Sequence, residues 1–200
     1  MLTLAIETAG AACSLALFDG TDLIAERHEV VGRGHAERLI PWIADFPDGG
    51  RADRIIIGCG PGSFTGVRIG VAAARALGLG WGIPVIGVSS LALIAARCDE
   101  ASFSVAVEGG HGEVFIQNFS RSPLITTNAV VSLAPEQAGV LAHDIIVGNG
   151  AARVVAARGS GHARDGHARA AIARFLPNTQ YLDAPRPIYG RAADAKPAYA

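Results

Sequence analysis

Residues 58–70 read GCGPGSFTGVRIG, and this stretch decides how the sequence folds. An apolar run, Ile55–Ile57, precedes it, and a long segment rich in alanine, valine and leucine follows it. An unbroken apolar run is typical of a strand that is buried on both faces, and glycine permits a sharp turn from such a strand into a helix. The stretch therefore predicts a strand at 55–58, a glycine-rich turn and a helix at 66–79.

Glycine-rich turns between a strand and a helix often bind phosphate. A P-loop has lysine and then serine or threonine after its last glycine, whereas Gly66 is followed by Val67-Arg68. The spacing of the glycines also misses the dinucleotide-binding pattern G-x-G-x-x-G by one residue. Anion binding at the helix N-terminus stays open, with the hydroxyl groups of Ser63 and Thr65 nearby.

The predicted helix is apolar on almost every side. Its only charged residues are Arg68 and Arg75, which lie seven positions apart and therefore on one stripe. A helix that is apolar all round is buried on more than one side. Two interpretations carry equal weight: a tightly packed internal helix, or a helix whose exposed apolar face binds a partner.

The pattern around this helix predicts an α/β protein of two lobes, at residues 1–101 and 102–200. Asp19-Gly20 indicates a tight hairpin, and the order of strands and helices is typical of a ribonuclease-H-like lobe. The first lobe is predicted to have strands at 2–6, 13–18, 22–30, 55–58 and 85–88, and helices at 35–45, 66–79 and 90–97. The second is predicted to have strands at 103–107, 114–119 and 145–147, a solvated turn at 161–169, a helix at 168–176 and an irregular tail from Pro177.

Composition excludes several classes of protein. Of the 200 residues, 50% are apolar and 18% charged, with 17 basic against 18 acidic residues, which is typical of a globular domain and not of a protein that binds nucleic acid alone. The three cysteines are too far apart for a CxxC zinc site or a disulfide framework. The N-terminus lacks the basic region of a signal peptide, and glycine and proline interrupt the uncharged segment 76–96. We therefore expect a cytoplasmic protein with no membrane span.

Four blocks of the sequence, in this order, resemble the TsaB (YeaZ) family. They read GRGHAERLIP at 32–41, GPGSFTGVRIG at 60–70, GIPVIGVSSL at 82–91 and PIYGRAADAKP at 187–197. Members of that family are bacterial proteins needed to make N6-threonylcarbamoyladenosine (t6A) at position 37 of ANN-decoding tRNAs. The resemblance implies the two-lobed ASKHA fold of actin, Hsp70 and sugar kinases, with mixed central sheets.

The resemblance implies a non-catalytic scaffold. The catalytic paralogue, TsaD, has metal-ligating histidines in a V-H-H-x-x-x-H pattern after the corresponding strand, whereas residues 88–93 here read VSSLAL. The family pattern implies that the chain binds and stabilises a TsaD-type subunit, is joined by the ATPase TsaE, contacts tRNA only through that complex and forms a homodimer when alone. It implies no metal and no cofactor of its own, with weak ATP or ADP binding at the partner interface left open.

Two sets of residues follow from the resemblance as candidate contacts. Family members pair through the helices that correspond to 35–45 and 66–79, which places at the interface His35, Leu39, Trp42, Val67, Gly70, Val71, Ala74, Arg75 and Gly78. The residues expected near any bound nucleotide or anion are Glu7, Thr8, Gly62, Ser63 and Thr65.

The sequence departs from the family pattern at two places. Glu7-Thr8-Ala9 replaces the usual Asp-Thr-Ser, and 108–115 reads EGGHGEVF in place of Asp-Ala-Arg-(Arg/Lys)-Gly-Glu-Val-Tyr. The first change argues against a kinase, because an acid there serves Mg²⁺ and phosphate in working ASKHA enzymes. The second loses one or two basic residues, which puts in doubt any anion or tRNA contact that relatives make there. Two alternatives stay open: an ATP-binding ASKHA enzyme, such as a small-molecule kinase or ATPase, and a metallopeptidase of the M22 type with which the family is often grouped.

Overall fold

The structure is a computed structural model that describes residues 1–190. The last seven residues of the family-like block at 187–197 lie outside the described residues. The strands are β1 Leu2–Glu7, β2 Ala12–Asp19, β3 Asp22–Val30, β4 Arg54–Gly58, β5 Val85–Val88, β6 Ser102–Glu108, β7 Val114–Ser120, β8 Ile125–Thr126, β9 Val131–Leu133, β10 Ile145–Val147, β11 His162–Arg164 and β12 Tyr181–Leu182. The helices are α1 His35–Ala44, α2 Phe64–Trp81, α3 Ser90–Ala95, α4 Pro135–Leu141 and α5 Ala151–Arg158.

The first sheet begins with the predicted antiparallel meander. β1, β2 and β3 pair antiparallel, while β4 and β5 extend the sheet in parallel on the other side of β1. The strand order is β12-β5-β4-β1-β2-β3. The meander, the buried strand β4 and the helix that follows it are all confirmed; α2 starts at Phe64, two residues earlier than predicted, because Ser63 caps it with a hydrogen bond from the Gly66 amide to Ser63 Oγ.

β4 separates two hydrophobic cores because successive side chains of a strand point to opposite faces. Ile55 and Ile57 lie in the core between the sheet and helices α1 and α2. Ile56 points to the other face, into a core that also contains α3, Phe103 and Phe119. That second core joins residues of both sheets, so the first sheet is covered on both faces.

The second sheet has the order β11-β10-β6-β7-β8, with β9 paired to β7. The predicted strands at 103–107, 114–119 and 145–147 are confirmed. The prediction of a solvated turn at 161–169 was wrong in part, because β11 (His162–Arg164) pairs with β10 in parallel. All three of its side chains are exposed, so only the backbone pairing defines this strand.

Two predictions near residue 175 need correction. The predicted helix at 168–176 is a six-residue 3-10 helix, Ala170–Phe175, whose alanines fill the core between the sheets. The tail predicted to be irregular contains β12, which returns to the first sheet and pairs antiparallel with β5. The division of the chain into two lobes at residue 101 stays a prediction. Within residues 1–190, none of the helices combines the length and hydrophobicity needed to cross a bilayer.

Candidate functional site

Helix α2 has two different sides. The inner side, which consists of Val67, Gly70, Val71, Ala74 and Gly78, is buried against the first sheet. The outer side, which consists of Arg68, Ala72, Arg75, Ala76 and Leu79, is exposed. Five of the residues predicted at a partner interface therefore pack within their own chain, and Arg75 is the one predicted contact of this helix that lies on its outer side.

Helix α1 lies beside α2 on the same face of the sheet. Its predicted interface residues His35 and Leu39 are buried, and Trp42 is half-buried. The His35 ring lies 3.1 Å from the carbonyl oxygen of Gly10, so its Nε2 carries the proton and donates to that oxygen. The large apolar side chains exposed on the two helices are Ile40 at 51%, Phe64 at 56% and Leu79 at 86%, and α2 also exposes Ala72 and Ala76.

The glycines of the turn and of α2 let the helix approach the end of β1. A methyl group added at Gly62 would lie 2.2 Å from the Ala9 carbonyl oxygen, and one at Gly66 would lie 2.1 Å from the Thr8 carbonyl oxygen. Thr8 Oγ1 completes this contact by donating to the Gly66 carbonyl oxygen at 2.7 Å. Close packing of backbone on backbone explains these glycines without a bound phosphate.

Glu7, at the end of β1, is fully buried and held by donors of the chain itself. Ser90 Oγ donates to Glu7 Oε2 at 2.6 Å, and the Ala9 amide donates to Glu7 Oε1 at 2.5 Å. Burial raises the pKa of the Glu7 carboxyl, although these hydrogen bonds oppose the shift. Ser90 Oγ also accepts from the Gly60 amide at 3.1 Å, so the carboxyl group ties β1 to the glycine-rich turn and to α3.

A cleft of about 1000 Å³ lies between the two lobes, and we call it the interlobe cleft. Of the residues predicted to contact nucleotide, Gly62 and Ser63 line it, whereas Glu7, Thr8 and Thr65 do not. The second lobe contributes Glu108–His111, Phe115 and Asn149. The cleft is therefore walled mainly by backbone and apolar groups, and the buried carboxyl group of Glu7 is shielded from it.

The start of α3 is the position at which the family resemblance led us to look for histidines, and the structure places two serines there. Ser89 Oγ caps α3 by accepting from the Leu91 amide at 3.2 Å, and Ser90 binds Glu7. Residues 1–190 contain no group of three His, Cys, Asp or Glu side chains arranged to hold a metal ion. Cys13 and Cys59 are buried free thiols, and burial raises the pKa of the Cys59 thiol to about 12.

Sequence reasoning did not find the aromatic cluster at the mouth of the cleft. The Arg68 guanidinium lies 3.6 Å from the centre of the Phe64 ring, and the rings of Phe64 and Tyr189 lie 5.6 Å apart. Arg68 Nε donates to the Tyr189 hydroxyl at 3.3 Å. These residues are 121 positions apart in sequence, so no local pattern could bring them together.

The positions of its two arginines indicate which side of α2 is buried. Arg68 and Arg75 mark one stripe, and Ala72, Ala76 and Leu79 fall on the same stripe at helical spacing. A stripe that carries both charges is the side that faces water or a partner. That reasoning would have placed Ala74 and the helical glycines on the inner side.

Comparisons of the sequence and of the structure with known proteins point to the same group of proteins. The family model that matches residues 27–143 is TsaD, tRNA N6-adenosine threonylcarbamoyltransferase. The tRNA threonylcarbamoyladenosine biosynthesis protein TsaB of Escherichia coli is 37% identical over 131 residues, which cover 60% of this chain and 56% of that protein. The chain spans about half the length of the curated relatives it matches.

Two solved structures share the fold. YeaZ from Pseudomonas aeruginosa superposes with a TM-score of 0.80 at 25% identity, over 94% of this chain and 99% of that one. The ethanolamine utilization protein EutJ from Carboxydothermus hydrogenoformans gives a TM-score of 0.53 at 12% identity, over 88% and 90% of the two chains. The fold is the two-lobed ASKHA fold that the sequence predicted.

Proposed function

We propose a function from one premise: this chain belongs to the TsaB (YeaZ) family, within the group that the TsaD threonylcarbamoyltransferase model describes. The proposed function is a part in the biosynthesis of threonylcarbamoyladenosine in tRNA. The observation that carries it is the identity with the E. coli biosynthesis protein over 131 residues. Depleting the protein in its own organism should lower the t6A content of tRNA, measured by mass spectrometry of nucleosides, and unchanged t6A would refute the proposal.

Within that pathway, we assign the chain the role of a non-catalytic scaffold. The polar groups nearest to the equivalent catalytic position are already used inside the protein, since Ser89 caps α3 and Ser90 binds Glu7. Glu7 is buried and accepts hydrogen bonds on both oxygens, so it has no free oxygen directed into the interlobe cleft. In this role the chain stabilises a TsaD-type subunit, TsaE joins the pair, and tRNA is contacted only by the complex.

The outer side of α2, together with the exposed part of α1, is the surface we assign to the TsaD-type partner. Leu79 is 86% exposed and Ile40 51% exposed, and the exposed Ala72 and Ala76 lie on the same side of α2 as Leu79 and the two arginines. Small side chains let a second helix approach closely, and an exposed apolar patch is typical of a protein interface. The same surface would form the homodimer when the chain is alone, because an apolar patch can pair with its own copy about a two-fold axis.

The test is to place a charge on that surface. Light scattering after size-exclusion chromatography would compare the native chain, Leu79→Glu and Val140→Glu, each mixed with the TsaD-type protein of the same organism. Val140 is the matched control, because it is 90% exposed on helix α4 of the other lobe. We expect Leu79→Glu to abolish the complex and Val140→Glu to leave it unchanged; equal behaviour of the two variants would refute the interface.

The interlobe cleft supports a second candidate, an ATP-binding ASKHA enzyme. The cleft volume of about 1000 Å³ is large enough for a nucleotide, and Ser63 lies at the N-terminus of α2, where anions bind well. Titration calorimetry with Mg²⁺-ATP on the isolated chain separates the candidates. Micromolar affinity accompanied by turnover would favour the enzyme, whereas no binding would favour the scaffold.

A further inference from the structure

The segment after β12 spans both lobes. Residues 183–190, which we call the strap, run from the edge of the first sheet along α2 to the mouth of the interlobe cleft. The Ile188 amide donates to the Cys59 carbonyl oxygen at 2.8 Å. At the far end the strap touches the second lobe, since a methyl group added at Gly190 would lie 2.5 Å from the Phe115 ring.

The strap is fastened to α2 by the two arginines of its outer side. Arg75 Nη2 donates to the Pro185 carbonyl oxygen at 2.7 Å, and Arg68 Nε donates to the Tyr189 hydroxyl at 3.3 Å. Both hydrogen bonds are exposed to solvent. Solvent-exposed hydrogen bonds are typical of segments that open without unfolding the rest of the protein.

The strap also forms one wall of the interlobe cleft. Ile188, Tyr189 and Gly190 line it on the side next to α2. Moving these residues away would widen the opening between Phe64 and Phe115. The fastening of the strap therefore controls access to the cleft.

We propose that the strap is a latch that closes the interlobe cleft. A partner that docks on the outer side of α2 opens it by accepting the hydrogen bonds that Arg68 and Arg75 now donate to the strap. The partner part rests on the proposed function, because it uses the same docking surface. The chemistry required of the partner is an apolar surface that carries carboxylate or carbonyl oxygens, which accept the hydrogen bonds that the two guanidinium groups now give to the strap.

The chain contains a reporter for the position of the strap. Cys59 is fully buried beneath it: a methyl group added at Gly87 would lie 2.9 Å from Cys59 Sγ and 3.0 Å from Pro185 Cα. Cys13 is equally buried but lies in β2, among residues of the first core. Opening of the strap exposes Cys59 alone, whereas global unfolding exposes both thiols.

The first experiment measures the rate at which N-ethylmaleimide labels each cysteine, by peptide mass spectrometry, in the native chain, Arg75→Ala and Arg68→Ala. Arg51→Ala is the control, because Arg51 is exposed and lies in the loop before β4. We expect Cys59 to be labelled about fivefold faster in each strap variant, as the loss of one hydrogen bond predicts. Unchanged Cys59 labelling, or an equal increase at Cys13, would overturn the latch.

The second experiment repeats the labelling of the native chain with a saturating amount of the TsaD-type subunit, after size-exclusion chromatography has shown whether a complex forms. Faster labelling of Cys59 in the complex supports opening by the partner. A complex with unchanged or slower labelling overturns that opening and leaves the proposed function intact. If no complex forms, the proposed interface fails and opening by the partner fails with it, while the arginine variants still decide the latch.

Discussion

Both sides of α2 carry small apolar residues, but only one of them is buried. The inner side places glycine and alanine against the first sheet, where a single added methyl group would collide with Thr8. The outer side places alanine and leucine in solvent beside two arginines. Small apolar residues thus serve close packing within the chain on one side, and on the other they stay exposed on the surface that we propose for a partner. Substitutions on the two sides should therefore differ in their effect on the stability of the chain and on the binding of a partner.

The largest effect is expected for Ala74→Glu on the inner side. Ala74 has no exposed surface, so the new carboxylate would be buried without a partner. We expect a loss of more than about 4 kcal/mol in the free energy of unfolding, which is a large part of the roughly 5–15 kcal/mol by which a typical domain is stable. Urea denaturation followed by circular dichroism measures it. A stability within about 1 kcal/mol of the native chain would mean that α2 does not pack as described.

The next prediction is that alanine substitutions at two glycines of α2 change the stability of the protein in opposite directions. Gly70→Ala would place a methyl group 2.3 Å from Thr8 Oγ1 and 3.0 Å from Ile57 Cδ1, and we expect it to destabilise the protein by about 2 kcal/mol. Gly80→Ala meets nothing within 4 Å, so it should stabilise by up to about 1 kcal/mol through helix propensity. Thermal unfolding of both variants tests this contrast, and shifts of the same sign would contradict it.

A smaller effect is the pH dependence of stability that the buried carboxyl group of Glu7 causes. Burial raises the pKa of Glu7 above its ordinary value of 4.5, so the folded state binds a proton more tightly than the unfolded state does. The stability contributed by that proton is present below pH 4.5 and is lost as the pH rises through the folded pKa. Glu7→Gln cannot ionise, so its unfolding free energy should fall less over this range than that of the native chain. Parallel pH profiles of the two proteins would refute this account.

The smallest effect is expected for Ala76→Glu on the outer side. Ala76 is exposed, so the charge stays hydrated and the free energy of unfolding should change by less than about 0.5 kcal/mol. Urea denaturation measures this, with Ala74→Glu as the paired variant. A loss of several kcal/mol would show that the outer side is also covered within the chain.

The sequence predicted the first lobe better than the second, for a physical reason. β1 to β4 are long or fully apolar, and Asp19-Gly20 marks the hairpin, so local pattern is enough. β8, β11 and β12 have two or three residues each, and strands this short are defined by backbone pairing and not by a side-chain pattern. Within the site, the helix and its stripe of arginines could be predicted from local sequence. The strap could not, because Arg68 meets Tyr189 only through the return of the chain to the first sheet.

That return has a consequence for folding during synthesis. The first sheet can form as soon as β5 has left the ribosome, but β12, its neighbour on the open edge, is synthesised nearly a hundred residues later. Until then β5 is an unpaired edge strand that another nascent chain could extend. The Val85–Val88 edge is therefore the place where chaperone contact, or aggregation of incomplete chains, should concentrate.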